Sequence, residues 1–384
     1  DVVVDALERA KKFKGVTLVH LLTEKGKGFD PASDDPERAH GVKPPSKVPA
    51  AASPGPGQSK QSFTAAFSQS LCTLADKNQH VHAITAGMPS GTGLGEFSTR
   101  FAERFHDTGI TEQHAVALAG GLATTGKRPV VAIYSTFLQR GYDQVFQEVA
   151  LQKESVVFAL DRAGLVGQDG PTHMGLYDLA YLRAFPGFTL CAPRDAADLD
   201  RMLNLAVNSK GPWAIRWPRA NAEAESFIPQ DLREPLVLAR AECLRQGSDG
   251  VVFALGDVVN QAVTAAEELQ RLHGISLKVY DARFVKPLDE QAILNAATDY
   301  DFIATVEEHS VLGGFGSAVA ELLSKNSCLT GQRQCRHSLH GVPDDFISHM
   351  NTREEQLLRC GLDADSLMQS WHSQLKNSSV KVES

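Results

Sequence analysis

The chain has 384 residues, 42% hydrophobic and 22% charged, enough apolar material for roughly two or three cored domains and too much for a disordered chain. Lys and Arg number 38 against 46 Asp and Glu, and the net charge of −8 excludes a general nucleic-acid or anionic-membrane binder. No run approaches the ~18 apolar residues of a bilayer span. The six cysteines, with no C-x-x-C pair, read as scattered reduced thiols of a cytoplasm or reducing organelle.

Asp5–Phe13 has the spacing of a short amphipathic helix and Val16–Thr23 (VTLVHLLT) the pattern of a buried strand. One helix and one strand cannot bury their own apolar faces. The pattern therefore predicts that residues 1–42 are the tail of an α/β domain whose remainder the chain lacks. Seven prolines between Pro31 and Lys60, without apolar periodicity, predict a linker, with 43–60 as its core.

From Ser62 the pattern becomes regular. Phe63, Phe67, Leu71 and Leu74 recur at helical spacing, His80–Thr85 reads as a strand, and helices are expected at Gly95–Phe105 and from Glu112 onward. Val130–Tyr134 and Val156–Leu160 are continuous apolar runs around a helical Tyr142–Gln152. Phe188–Ala192, a helix at Ala196–Val207 and Ala214–Trp217 close a domain spanning 61–235. After a looser stretch from Pro218 to about Gly250, alternation restarts. It runs Val251–Leu255, helix Val259–His273, Leu277–Tyr280, helix Glu290–Ala297, Phe302–Val306 and helix Gly316–Leu323, a second domain over 236–384. Strands this apolar, alternating with helices, predict two successive parallel-sheet α/β domains.

Several motifs carry bland readings. GTGLGEF (Gly91, Gly93, Gly95) lacks the G-x-G-x-x-G spacing of a dinucleotide turn and reads as a loop. GGFGS (Gly313–Ser317) opens a helix, where it can receive an anion or pack closely on the sheet. His80 and His82 share a strand face without a third metal ligand, which favours a structural role.

Four predicted strand ends carry chemistry. At the first helix turn of GITEQHAVALAGGLA lies Glu112, either a dipole-favoured surface carboxylate or a proton-transfer group in a partly apolar pocket. YSTFLQRGYDQV supplies Tyr134, Phe137 and Arg140, and DRAGLVGQDGPTHMG supplies Arg162, Asp169 and His173. IRWPRAN brings Arg216 and Arg219. Ligands of open α/β sheets bind at this carboxyl edge, so the edge predicts a site for an anionic small molecule.

GITEQHA, AIYSTFLQRGYDQV, DRAGLVGQDGPTH, RWPRAN, DARFVKPLD and VEEHSVLGGFGS together resemble the 1-deoxy-D-xylulose-5-phosphate synthase family, thiamine-diphosphate enzymes of the transketolase superfamily. The likeness runs from about Gly26 to Gly361. KGKGF and DDPERAHGV resemble the end of that family's first domain, and no GDG-type segment, which holds Mg²⁺ and the diphosphate in the family, occurs in this sequence. Phe29 stands where Tyr is common, and Ala220 where Gly often follows Pro-Arg.

The resemblance implies an activity: condensation of pyruvate with glyceraldehyde 3-phosphate, releasing CO₂, in isoprenoid, thiamine and pyridoxal biosynthesis. It implies thiamine diphosphate and Mg²⁺ as cofactors, a homodimer, and a bacterial cytoplasm or a plastid. It also implies roles. Glu112 would hydrogen-bond the aminopyrimidine N1′, Phe137 would stack on that ring, and Phe29 would line the cofactor. Arg162 and Arg219 would hold the acceptor phosphate. His173, with Asp169 and His40, would move protons and bind hydroxyls, while Tyr134 and Arg140 position the reactants. A transketolase or a 2-oxoacid dehydrogenase β chain would share the Glu and the layout but not FLQR with DRAGLVGQDGPTH. A non-catalytic module that kept the fold is the alternative from another class.

Overall fold

The computed structural model describes residues 1–24, 26–34, 61–223, 227, 228, 233, 235–326 and 335–379. The chain divides into two compact units, Asp1–Ser59 and Lys60–Ser384.

In the first unit a helix spans Val2–Ala10, starting and ending three residues before the expected one, and a short helix spans Asp30–Asp34 at the start of the stretch read as linker. Most of that linker, and His40, lie outside the described residues. Val16–Thr23 is not a strand: it runs as coil, with Val16, Leu18 and Leu22 exposed. A strand forms only against a neighbour that takes its hydrogen bonds. Among the described residues of this unit there is none.

The second unit holds fourteen strands among the described residues. They are β1 (Gln61–Ser62), β2 (Val81–Thr85), β3 (Phe105–Asp107), β4 (Arg128–Tyr134), β5 (Val157–Asp161), β6 (Thr189–Cys191) and β7 (Trp213–Arg216). After these come β8 (Asn221–Ala222), β9 (Glu242–Arg245), β10 (Gly250–Leu255), β11 (Leu277–Asp281), β12 (Phe284–Lys286), β13 (Phe302–Ser310) and β14 (Arg336–Val342). A seven-stranded sheet has the order β12-β6-β7-β5-β4-β2-β3 and is parallel except for β12. A five-stranded sheet, β14-β13-β10-β11-β9, is parallel except for β9. β1 and β8 form a small antiparallel ribbon.

Both faces of the larger sheet are covered, which is why β4 and β5 read as unbroken apolar runs. Helix Phe63–Lys77, capped by the Ser62 hydroxyl on the Ala65 N–H, packs Phe63, Phe67 and Leu71 into one core beside helix Ala196–Asn208. Helix Glu112–Thr124 lies in the other core, and its small residues permit close approach: a side chain at Gly120 would meet the Glu148 carbonyl at 2.9 Å.

Some boundaries move for visible reasons. The helix expected to reach Phe105 stops at Arg100. Arg104 bonds the carbonyls of Ala75, Asn78 and Val81 and draws Phe105–Asp107 alongside β2 as β3. The Tyr142–Gln152 helix is π-wound over Val145–Ala150. The stretch from Pro218 to Gly250, expected to be loose, contains β8 and β9. β13 continues past Val306 to Ser310 because its polar end is partnered: Glu307 accepts the Phe315 and Gly316 N–H groups at 2.7 Å each. Those amides belong to the GGFGS turn, so its anion is the chain's own carboxylate. His82 is buried against His106, with ring nitrogens 3.1 Å apart, and burial pushes its pKa down to about 4.

The two sheets are joined through buried charge. Arg194 Nη1 donates to Glu242 at 2.6 Å and to Asp281 at 2.7 Å, Arg283 also donates to Glu242, and Arg233 donates to Asp195. Each carboxylate here has a cationic partner, the condition under which buried charge is tolerated.

Candidate active site

The carboxyl ends of β4, β5 and β7 and the start of helix Glu112–Thr124 converge on one edge of the larger sheet. Thr111 precedes the helix, and Glu112 takes its first position, 4% exposed. A carboxylate there faces the positive end of the helix dipole. It is not alone in its pocket: Arg140 Nη1 donates to Glu112 Oε2 at 2.7 Å, and the Arg140 side chain is 54% exposed.

Phe137 sits one turn before Arg140 on the segment that follows β4. Its ring stacks on Tyr134 (centroids 5.5 Å, planes 15° apart) and meets His173 edge-on at 5.3 Å. Half-buried, Phe137 keeps part of its ring open. The Tyr134 hydroxyl points to the Gly91 carbonyl at 3.4 Å, and burial raises its pKa.

Arg162, just after β5, has φ +57°, a left-handed conformation that is costly for a residue with a side chain. Its guanidinium lies 4.2 Å over the Tyr134 ring and donates to the Gly91 carbonyl at 2.7 Å and to Thr64 Oγ1 at 3.3 Å. The neighbouring Asp161 anchors it at 2.9 Å and accepts the Thr64 hydroxyl at 2.7 Å. Burial raises the Asp161 pKa, and the Arg162 charge opposes that shift. The glycine loop read from GTGLGEF thus has a packing reason: a side chain at Gly91 would stand 2.6 Å from the Tyr134 hydroxyl.

Asp169 pairs with Arg219, while the His173 ring nitrogen Nδ1 meets Thr172 Oγ1 at 2.9 Å. The two residues expected to share proton work therefore have separate partners. Arg162 and Arg219 line a cavity of about 540 Å³ that Asn351–Glu354 also wall. Sequence reading missed this wall, along with Thr64 and Gly91. Arg216 is buried and structural: it bonds Asp178 at 2.9 Å and the carbonyls of Gly175 and Glu308.

Eight expected residues, Glu112, Arg140, Phe137, Tyr134, His173, Arg162, Asp169 and Arg219, thus line one edge. Phe29 belongs to the Asp1–Ser59 unit, where it is exposed. The half-open aromatic ring, one turn from the arginine that grips a buried carboxyl group, fits the pyrimidine end of a thiamine cofactor. Among the described residues no group of three His, Cys, Asp or Glu could hold a metal ion.

Residues 59–224 match the family model "Transketolase, pyrimidine binding domain", and residues 239–367 match "Transketolase, C-terminal domain". The 1-deoxy-D-xylulose-5-phosphate synthase of Magnetococcus marinus is 48% identical over 364 residues, 95% of this chain and 57% of that protein. That of Desulforudis audaxviator is 47% identical over 97% of this chain and 57% of its own length. The chain therefore spans a little over half the length of these relatives. Among solved structures, a split-gene transketolase, an inactive β4 tetramer, is 29% identical with TM-score 0.72, covering 83% of this chain and 99% of that one. Campylobacter jejuni transketolase shares the fold at 21% identity, with TM-score 0.67 over 82% of this chain and 46% of its own. The motifs, both domain matches and these relatives agree: the chain belongs to the transketolase family, and within it is similar to the 1-deoxy-D-xylulose-5-phosphate synthases.

Proposed function

We propose that this chain supplies the pyrimidine-binding and C-terminal portions of an enzyme that condenses pyruvate with D-glyceraldehyde 3-phosphate, releasing CO₂ and giving 1-deoxy-D-xylulose 5-phosphate. The observation that carries the reading is the path along the sheet edge from a buried carboxyl group, past an open aromatic ring, to two arginines on a cavity.

Thiamine diphosphate, held with Mg²⁺, supplies the nucleophilic carbon when bound. Glu112 hydrogen-bonds the aminopyrimidine and holds or accepts its proton. Phe137 gives that ring a flat apolar face. Arg162 and Arg219 bind the acceptor phosphate through guanidinium forks, which match its oxygens better than a lysine does. Asp169 orients Arg219, and His173 serves the substrate hydroxyls and their protons. Arg140 keeps the Glu112 carboxylate oriented, and Tyr134 supports both Phe137 and Arg162 through its ring.

The enzyme is further proposed to be a homodimer in a bacterial cytoplasm or a plastid. No helix among the described residues is long and apolar enough to cross a membrane. We also propose that the chain needs the N-terminal portion its relatives carry, with residues 61–235 and 236–384 as the two domains it provides. The split-gene transketolase of similar span, inactive as a β4 tetramer, supports that dependence.

The test is a chimera that joins the N-terminal portion of the Magnetococcus marinus relative to this chain, assayed for CO₂ release with both substrates. Arg162→Ala and Arg219→Ala are expected to raise the acceptor KM by about tenfold or more while moving the pyruvate KM little, since removing a charge-assisted hydrogen bond costs ~1.5–3 kcal/mol. Equal damage with a non-phosphorylated aldehyde acceptor would show that the arginines serve something other than phosphate.

A further inference from the structure

The loop that carries Asp169 and His173 is anchored at both ends, where Leu165, Val166, Met174 and Leu176 are buried in the core of the second sheet's domain. Its backbone is also bonded by two side chains of that domain and closely approached by a third. The Leu165 N–H donates to Glu308 Oε1 at 2.8 Å. The Gly167 N–H donates to Gln356 Oε1 at 2.7 Å, and Gln356 Nε2 donates back to the Gly167 carbonyl at 3.2 Å. At Gly170 the His349 ring lies so close that a side chain there would sit 2.1 Å from its Nε2.

Gln356 is the centre of this grip. It is fully buried, and its one amide satisfies both backbone groups of a single residue. Nε2 also donates to the Ser348 carbonyl at 3.0 Å, while the Met350 N–H adds a second bond to the Gly167 carbonyl at 3.3 Å. Gly167 has φ +64° and opens the turn Gly167–Asp169, so the amide fixes the residue that aims Asp169. Asp169 in turn holds Arg219 on the cavity. Gln356 is held in register by helix Arg353–Cys360, whose Arg353 binds Glu308 through Nε at 2.8 Å and Asp257 at 2.9 Å.

We infer that Gln356 is a positioning residue for acceptor binding: its amide sets Gly167, hence Asp169 and the Arg219 guanidinium, without touching substrate. The inference rests on the proposed reading of the site. Two consequences separate it from ordinary core packing. Loss of the amide acts on the Gly167 turn and the Ser348 segment beside it and not on the sheets, and it acts on the phosphorylated acceptor rather than on pyruvate.

The experiment compares wild type, Gln356→Leu and Gln356→Glu. Leu keeps the volume and removes all three bonds; Glu, as a carboxylate, keeps the acceptor for the Gly167 N–H and loses the donor to the Gly167 and Ser348 carbonyls. Amide hydrogen exchange of the 384-residue chain is expected to quicken about tenfold or more over 165–173 in Gln356→Leu, and less in Gln356→Glu, with β2 and β5 unchanged. In the chimera, Gln356→Leu is expected to raise the acceptor KM by about tenfold and leave the pyruvate KM within about twofold, with Gln356→Glu between. Exchange that quickens evenly over the whole second domain, or equal loss for both substrates, overturns the inference. If Gln356→Leu does not fold, Gln356→Glu decides: unchanged exchange over 165–173 overturns it. An inactive wild-type chimera would count against the proposed reaction, while the exchange measurement still decides whether Gln356 sets the loop.

Discussion

Glu112→Gln is expected to fold normally and to lose at least ~10² of turnover, the scale on which a positioned acid–base group acts. The substitution is nearly isosteric in a site only 4% exposed, so it leaves no cavity. Its amide oxygen still accepts from Arg140. That guanidinium is 54% exposed, so it keeps its water when the charge opposite disappears and no buried cation is stranded. Stability therefore changes little. What disappears is a group able to take up and return a proton at the first turn of the helix. The measurement is CO₂ release by the cofactor-saturated chimera, with the melting temperature as control. Decarboxylation near the wild-type rate would remove Glu112 from the mechanism.

The second large effect concerns the cofactor. Residues 1–384 alone are expected to bind thiamine diphosphate in the millimolar range or more weakly and to release no CO₂. Phe137 offers ring stacking and Glu112 one charge-assisted hydrogen bond, together ~2–4 kcal/mol. Losing translational and rotational freedom costs ~4 kcal/mol or more, so little affinity remains. Calorimetric titration with thiamine diphosphate and Mg²⁺ checks this, with and without the N-terminal portion of the Magnetococcus marinus relative as a separate chain. Micromolar binding by this chain alone would mean that it holds the diphosphate itself.

Most of the site was legible because it sits at strand ends. Glu112, Tyr134, Phe137, Arg162 and Arg219 each lie at a recognisable boundary between predicted elements, and that adjacency puts them on one edge. Their pairings were not legible. Arg140 with Glu112 and Arg219 with Asp169 join different loops, and nothing local in the sequence fixes which carboxylate a guanidinium chooses. Asn351–Glu354 reach the cavity from 189 residues beyond Arg162 or more, so no periodicity could announce them. Nothing local in the sequence marks Glu307 and Glu308 as anchors either, yet Glu307 holds the Phe315 and Gly316 amides and Glu308 that of Leu165. Val16–Thr23 shows the converse: a strand's composition without a strand's partner stays coil.

The strand β12 bears on how such enzymes can be recombined. Phe284 and Lys286 lie well inside the stretch matched to the C-terminal domain, 239–367, yet they pair with Cys191 and Leu190 of the pyrimidine-binding stretch. The gap between residues 224 and 239 is thus a border in the sequence and not a seam in the solid. A crossover there would lay a foreign β12 on the host's β6 and set a foreign Glu242 and Asp281 against the host's Arg194. Each mismatch would leave either an unpaired sheet edge or an uncompensated buried charge. Shuffling among relatives will tolerate parents that differ on the surface. It will require that Arg194, β6, Glu242, Asp281 and β12 be inherited together.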